Sequence, residues 1–214
     1  MLAPSSGTPS LSAICTKAQE VFAKRPCLWQ LQIAEAFLER DRDIVCIAGI
    51  GMGKTLTFWL PLLFRPDGIQ IVVTPLNQLS QQNVDSLWKA SIQSIAINAE
   101  TATWENFHVS SICTNIDGDG KLTFVQAIEN LEYRVILVSP EQLMKPGSEF
   151  EKLLVKPAFV SHIISFVFDE VHCITSWGEF QLEYKELQRL RYTVEIRPYL
   201  RHRSQGLSNQ SYLV

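Results

Sequence analysis

Short apolar runs alternate with amphipathic segments along most of this chain. Runs rich in β-branched residues predict buried strands at 44–48, 69–73, 92–97, 135–138 and 163–168. Apolar residues at helical spacing predict helices at about 16–23, 28–38, 54–64, 76–88, 122–130, 149–154 and 183–191. Because strands and helices alternate, we expect an α/β fold, with a parallel β-sheet that carries helices on both faces.

The two ends of the chain differ in composition from its centre. Residues 1–13 are rich in Ser, Pro and Gly, which predicts a loose N-terminal arm. Residues 192–214 predict a divergent or disordered C-terminal tail, with a basic cluster from Arg197 to Arg203 that is either solvated or in contact with phosphates. Between them we expect one domain at 14–191, in which 98–121 is a long loop.

Composition narrows the class of protein. Hydrophobic residues make up 46% of the 214 residues, which is enough for a core and excludes wholesale disorder. The net charge of −3 argues against a strongly basic nucleic-acid protein. The five cysteines form no CxxC pair and predict buried free thiols. Without a signal peptide or an apolar run of ~20 residues, we expect a soluble intracellular chain.

The segment Ala48-Gly49-Ile50-Gly51-Met52-Gly53-Lys54-Thr55 lies between a predicted strand and a predicted helix. This context is typical of a phosphate-binding loop, in which glycines let successive backbone N–H groups point at phosphate oxygens. In such a loop Lys54 brings a positive charge to the β- and γ-phosphates, and the Thr55 hydroxyl binds Mg²⁺. The alternative is a glycine-rich turn with an incidental lysine.

Two acidic residues follow the last predicted strand, in Phe168-Asp169-Glu170-Val171-His172. Carboxylates at the end of a buried strand are unfavourable unless a cation or a reaction uses them. With a phosphate loop upstream, Asp169 becomes the candidate Mg²⁺ ligand, and Glu170 the candidate base that orients and deprotonates the attacking water. His172 would relay between the nucleotide and a second ligand. The alternative is an acidic turn without a ligand.

These motifs, followed by Cys173-Ile174-Thr175-Ser176-Trp177-Gly178, resemble the first motor domain of superfamily 2 helicases of the DEAD/DEAH type. From about Arg25 to Arg191 the chain is most similar to RecQ-like DNA helicases, fungal ones above all. The resemblance implies a single RecA-like P-loop domain that uses ATP and Mg²⁺. It also implies a nuclear enzyme that unwinds DNA in the 3′-to-5′ direction, with single-stranded or partly duplex DNA as partner, no membrane, and a second motor domain possible in trans.

The resemblance also assigns roles to particular residues. Catalysis would fall to Lys54, Glu170 and His172, and metal binding to Thr55 and Asp169. The nucleotide would contact the adenine motif and the phosphate loop, which comprise Arg25, Gln30, Gly49, Ile50, Gly51, Met52, Gly53, Lys54 and Thr55. Nucleic acid would contact two backbone-binding motifs and an aromatic-rich loop, which comprise Thr74, Pro75, Leu76, Pro140, Glu141, Trp177 and Phe180. Stacking of a base on such an aromatic side chain is worth about 1–3 kcal/mol.

The chain departs from the family pattern at several positions. Gln181 replaces an arginine, Gly49-Ile50 replaces Pro-Thr, and 192–198 replaces a Ser-Ala-Thr motif. We therefore expect a chain that is truncated before this third motif and lacks the second motor domain with its arginine finger. Since such a finger is worth about 10³–10⁵ in rate, nucleotide binding should survive better than hydrolysis or unwinding. A hydrolysis-deficient ATP- or nucleic-acid-binding module and an incomplete gene product stay open as alternatives.

One further segment, Asn115–Thr123, resembles the start of a calcium-binding EF-hand loop. Oxygen-bearing side chains alternate along it, and Gly120 occupies the turn position. However, Asn115 and Gln126 replace the acidic first and last ligands. We therefore favour a solvated Asp-Gly turn over a calcium site.

Overall fold

The computed structural model describes residues 7–39, 43–49, 51–74, 77–97, 124–169 and 190. Among these, the chain divides into two compact units, the first ending at Gly68 and the second beginning at Ile69. Each unit has its own hydrophobic core. The phosphate-loop sequence belongs to the first unit, and the sheet belongs to the second.

The first unit contains helices α1 (Leu11–Phe22), α2 (Leu28–Glu39) and α3 (Lys54–Trp59), and α3 continues into a 3₁₀ turn at Leu60–Phe64. The Ser10 side chain caps α1 by accepting a hydrogen bond of 3.2 Å from the Ala13 N–H. The helix ends at Ala23, which adopts a left-handed conformation with φ of 52°. The core of this unit joins α1, α2 and the 3₁₀ turn through Ile14, Ala18, Leu31, Ala34, Leu38 and Leu60.

The second unit is built on a four-stranded parallel sheet in the order β2-β3-β1-β4. Its strands are β1 (Ile69–Val73), β2 (Ser94–Ile97), β3 (Val135–Val138) and β4 (Ile163–Phe168). Its helices are α4 (Asn77–Lys89), α5 (Phe124–Glu129), α6 (Pro140–Met144), α7 (Glu149–Leu154) and α8 (Pro157–Val160). In register, Val73 of β1 pairs with Val138 of β3 and with Phe168 of β4.

Helices cover both faces of this sheet. On one face Ile71, Val73, Ile136 and Val138 pack with Phe150 and Leu153 of α7 and with Phe159 of α8. The opposite face carries Ser94, whose hydroxyl donates to the Val84 carbonyl of α4 at 3.4 Å. The indole N–H of Trp88, also in α4, donates to the Ser94 carbonyl at 2.9 Å. The expected α/β architecture with a parallel sheet is therefore confirmed.

Most predicted elements lie close to their expected positions, and the deviations have local causes. Helix α1 begins at Leu11, inside the expected arm 1–13, because the Ser10 cap satisfies its first turn. Helix α3 changes to 3₁₀ geometry at Leu60-Pro61, where proline supplies no N–H. The short helices α6 and α8 were not predicted, although both carry proline at their first position. The predicted helix 183–191 and loop 98–121 lie outside the described residues, apart from Leu190, which is helical.

The predicted strand at 44–48 is wrong, because residues 43–49 form no strand. Burial still alternates along this segment: Cys46 is buried, whereas Val45 is 42% exposed and Ile47 is 91% exposed. An apolar β-branched run favours an extended backbone, but a strand also needs a neighbour that pairs with its N–H and C=O groups. This segment has no ladder partner in the described part of the chain.

The cysteines only partly match the prediction of buried free thiols. Cys15, Cys27 and Cys46 are all free. Cys46 is buried and Cys15 is half-buried, but Cys27 is exposed, so the prediction of burial is wrong for Cys27. Cys27 lies just before α2, where its side chain packs into neither core. Cys113 and Cys173 lie outside the described residues.

Candidate nucleotide-binding site

A turn in which Met52 contacts Gly49 precedes α3. The Met52 N–H donates to the Gly49 carbonyl at 3.3 Å, and the Gly49 N–H contacts the Met52 Sδ at the same distance. Gly51 and Gly53 have φ of 78° and 79°, in the left-handed region where glycine is favoured. Gly51 and Gly53 are thus placed where the backbone conformation favours glycine.

Gln30, in the first turn of α2, binds this loop with its side-chain amide. Its Nε2 donates to the Gly53 carbonyl at 2.8 Å and to the Met52 carbonyl at 3.5 Å. Its Oε1 accepts a hydrogen bond of 2.7 Å from the Cys27 N–H, and the residue is only 5% exposed. The buried amide therefore links the start of α2 to the loop, in addition to the base-reading role predicted for it.

Lys54 is the first residue of α3, and its side chain turns back over the loop. Its Nζ donates to the Ala48 carbonyl at 3.0 Å, which places the positive charge beside the loop backbone. Thr55 is half-buried next to it. The Thr57 hydroxyl donates to the Lys54 carbonyl at 2.6 Å, a contact that sequence reasoning missed. Nothing in the Thr57 sequence context marks it, because threonine is common in helices without such a role.

The pKa of the Cys46 thiol is affected by the charge of Lys54. Burial raises the pKa of Cys46 above its ordinary value, and the Lys54 ammonium opposes this rise by favouring the thiolate. Cys46 therefore stays protonated at neutral pH. An open apolar groove of about 410 Å³ lies beside Cys46, lined by residues of α2, the 44–48 segment and Met52, among them Trp29, Ile33 and Val45.

In the second unit, polar side chains follow three neighbouring strands at the carboxyl edge of the sheet. Thr74 follows β1, Ser139 follows β3 and Asp169 follows β4, and all three are buried. The Ser139 hydroxyl caps α6 by accepting from the Gln142 N–H at 3.4 Å. Sequence reasoning missed Ser139, although a serine just before a proline is a recognisable helix start.

The predicted site residues are placed as follows. In the first unit Gln30 contacts Met52 and Gly53, whereas Arg25 is exposed on the surface. In the second unit Pro140 is buried in the first turn of α6, and Glu141 is half-buried beside it. Thr74 is buried directly after β1. Seven predicted residues lie outside the described ones: Ile50, Pro75, Leu76, Glu170, His172, Trp177 and Phe180.

Two kinds of feature are absent from the described residues. Among them, no helix is long and apolar enough to cross a membrane. Within the same ranges, no group of three or more His, Cys, Asp or Glu residues could hold a metal ion. The candidate Mg²⁺ ligands Thr55 and Asp169 do not need such a cluster, because Mg²⁺ commonly binds through one or two carboxylates together with phosphate and water.

Comparison with known proteins identifies relatives. The chain is similar to a Caenorhabditis elegans protein of the ATP-dependent DNA helicase Q1 type, at 32% identity over 70% of this chain and 21% of the relative. It is 28% identical to the ATP-dependent DNA helicase hus2/rqh1 of Schizosaccharomyces pombe, over 70% of this chain and 10% of that protein. It is also 28% identical to the ATP-dependent DNA helicase RecQ of Haemophilus influenzae, over 70% of this chain and 21% of that protein. The chain thus spans about a tenth to a fifth of the length of these curated relatives.

The family model for DEAD/DEAH box helicases matches residues 28–208, which is most of the chain. The matched region contains Gln30, the phosphate loop, the parallel sheet and Asp169. The chain therefore belongs to the DEAD/DEAH box helicase family, and its relatives within that family are of the RecQ type.

Proposed function

We propose that this chain is an ATP-binding motor domain of a RecQ-like, ATP-dependent 3′-to-5′ DNA helicase. The observation that carries the proposal is the hydrogen bond of 2.8 Å from Gln30 Nε2 to the Gly53 carbonyl. It joins the residue that would read adenine to the loop that would bind the phosphates. This bond supports a single nucleotide site that includes both parts.

Lys54 supplies the charge that this site needs. Its ammonium lies against the loop through the Ala48 carbonyl, so a triphosphate would exchange that contact for a stronger charge-assisted one. The groove beside Met52 offers an apolar surface that suits the flat face of a base. Arg25 is exposed at the start of α2 and available to an anionic or aromatic ligand.

The residues present also fit Mg²⁺. Asp169 is a buried carboxylate at the carboxyl edge of a parallel sheet, next to the buried hydroxyl of Thr74, which has no hydrogen-bond partner. From the motifs that contain them, Thr55 and Asp169 are our proposed ligands of the ion, since hard oxygen ligands suit it. When bound, Mg²⁺ would neutralise charge on the β- and γ-phosphates. Glu170 would orient and deprotonate the attacking water, and His172 would relay between the nucleotide and a second ligand.

DNA as the substrate is supported by the relatives, whose names describe DNA helicases. Our proposed contacts to single-stranded or partly duplex DNA are the two backbone-binding motifs and the aromatic-rich loop, with Thr74, Pro75, Leu76, Pro140, Glu141, Trp177 and Phe180. The 3′-to-5′ direction and a nuclear location belong to the proposal through the RecQ-like motifs. A hydrolysis-deficient ATP-binding module is the competing function.

Binding of a fluorescent ATP analogue tests the proposal. The wild-type chain should bind it in the presence of Mg²⁺, and Lys54→Ala should abolish binding. Lys17→Ala is the matched control, since Lys17 is about half exposed and pairs only with Glu20 at 3.4 Å. Retained affinity in Lys54→Ala would contradict the proposed site. Phosphate release with and without single-stranded DNA then separates the two functions: stimulated release supports the motor, and binding without release supports the module.

A further inference from the structure

Thr74 occupies a central position at the carboxyl edge of the sheet. Its N–H donates to the Val138 carbonyl of β3 at 3.1 Å, and the Asp169 N–H donates to the Val73 carbonyl of β1 at 2.9 Å. Since Val73 pairs with both Val138 and Phe168, the next residues in register are Thr74, Ser139 and Asp169. Thr74 therefore lies between Ser139 on one neighbouring strand and Asp169 on the other.

The side chain of Thr74 belongs to the same face as that of Asp169. Val73, Val138 and Phe168 all pack in or against the core beneath α7 and α8. Because successive side chains of a strand point to opposite faces, the residue after each of these strand ends lies on the other face. Adjacent strands are separated by about 4.8 Å, so Thr74 and Asp169 occupy neighbouring positions at this edge of the sheet.

The Thr74 hydroxyl has no hydrogen-bond partner although the residue is only 2% exposed. Buried hydroxyl groups are nearly always paired with protein atoms or with ordered water. The neighbouring Ser139 hydroxyl is already engaged with the Gln142 N–H, so it does not require the same partner. Valine would fit a buried position at a strand end without leaving a polar atom unpaired, so the threonine indicates a ligand that meets its hydroxyl.

We propose that Thr74 is a positioning residue of the cation site: its hydroxyl holds a water molecule bound to the divalent ion that Asp169 ligates. This inference rests on the proposed function, because that function places Mg²⁺ at Asp169. Mg²⁺ keeps several of its waters in proteins, and each of these needs a hydrogen-bond partner. Groups that orient metal ligands in this way change metal affinity by about 10–100-fold when they are removed.

The test uses the full chain and follows free Mn²⁺ by electron paramagnetic resonance, so that it does not depend on turnover. Thr74→Val should weaken Mn²⁺ binding by about tenfold, at the low end of that range. Thr74→Ser keeps the hydroxyl and should bind Mn²⁺ like the wild type. Asp169→Asn should bind Mn²⁺ more weakly than Thr74→Val, because it loses the ligating charge. Wild-type affinity in Thr74→Val would overturn the proposal, and so would a wild-type chain that binds no Mn²⁺.

Thermal unfolding without metal provides the second measurement. Thr74→Val should leave the melting temperature unchanged or raise it, because the hydroxyl has no protein partner to lose. Thr57→Val is the matched control and should lower it, because the Thr57 hydroxyl donates to the Lys54 carbonyl at 2.6 Å. An equal fall of the melting temperature in both variants would overturn the proposal, since it would mean that the Thr74 hydroxyl is hydrogen-bonded within the protein.

Nucleotide binding in EDTA separates this inference from the proposed function. Thr74→Val should bind the fluorescent ATP analogue without metal as the wild type does, because Thr74 acts only through the cation. If wild-type and variant Mn²⁺ affinities are equal while both proteins bind the analogue, the Thr74 role fails and the nucleotide site stands. If neither protein binds the analogue but Thr74→Val still weakens Mn²⁺ binding, the nucleotide site fails and the role of Thr74 stands.

Discussion

Gln30 and Gly53 are joined by a hydrogen bond of 2.8 Å, from the side-chain Nε2 of Gln30 to the backbone carbonyl of Gly53. A Cβ atom added to Gly53 would lie 2.9 Å from the same Nε2, so the contact also requires glycine at this position. The bond fixes the end of the loop where α3 begins. Recognition of a base by Gln30 would therefore affect the conformation of the phosphate loop directly.

Removing the Gln30 amide should destabilise the protein even without nucleotide. Gln30→Ala leaves the Cys27 N–H and the Gly53 carbonyl without their partner, which should lower the free energy of unfolding by about 1–3 kcal/mol. Gln30→Glu separates the two hydrogen bonds, because it keeps an acceptor for the Cys27 N–H but removes the donor to the Gly53 carbonyl. Urea unfolding measures both, with the exposed Gln32→Ala as control on the same helix. Equal stability of Gln30→Ala and Gln32→Ala would contradict this role.

Two glycines of the loop provide a matched pair of substitutions. Gly51→Ala and Gly53→Ala both place a side chain at a left-handed φ, which should reduce stability by about 1 kcal/mol each. Only at Gly53 does the new Cβ meet Gln30, whereas nothing lies within 4 Å of it at Gly51. We therefore expect Gly53→Ala to be the less stable of the two in urea, by about a further 1 kcal/mol for the lost hydrogen bond. Identical unfolding curves would show that the Gln30 contact contributes nothing.

The cysteines should differ in their reactivity towards iodoacetamide. Because the thiolate reacts and burial raises the pKa of Cys46, exposed Cys27 should be alkylated first at neutral pH. In Lys54→Ala the nearby positive charge is lost, so the pKa of Cys46 should rise further and its alkylation should slow. Peptide mass spectrometry over time follows both sites. Cys46 reacting as fast as Cys27 at pH 7 would contradict its burial.

The same pKa shift gives a sign for the dependence of stability on pH. A thiol whose pKa is raised in the folded state binds its proton more tightly there than in the unfolded chain. Its contribution to stability is therefore complete below the pKa of the unfolded thiol and is lost as pH rises through the folded-state value. Cys46→Ala should lose less stability than the wild type between neutral and strongly alkaline pH in urea unfolding. A parallel loss in both proteins would assign the alkaline effect to other groups.

Gln70 offers a test of the sheet interior. It is fully buried in β1, where its Nε2 donates to the Ser165 hydroxyl at 3.0 Å but its Oε1 has no partner. Gln70→Met removes the unpaired acceptor and keeps a similar volume, so the free energy of unfolding should stay equal or rise by about 1 kcal/mol. Gln81→Met, at an exposed position of α4, is the control and should change little. A fall of more than about 2 kcal/mol in the free energy of unfolding of Gln70→Met would lie within the range for leaving a buried group unpaired. It would mean that the Oε1 has a partner such as a buried water.

The hydrophobic pattern was sufficient for the strands of the second unit and insufficient for part of the first unit. Val135–Val138 and Ile163–Phe168 form strands where their sequences predict them, because each finds a parallel partner in β1. The run at 44–48 has the same composition but no strand partner in the described residues, and composition does not reveal whether a partner is present. Gln30 was recognised as a site residue, but its bond to Gly53 joins positions 23 residues apart, which no local pattern encodes.

The sequence by itself determined the class of fold and the family, because periodicity and the glycine-rich loop are local properties that elementary stereochemistry interprets. The tertiary structure alone decided which polar groups find partners. The motif alone singled out Thr74, whereas the order β3-β1-β4 places it between two strand ends, buried and with a hydroxyl that has no hydrogen-bond partner. Strand order depends on packing between distant segments, and so it is fixed only when the chain folds.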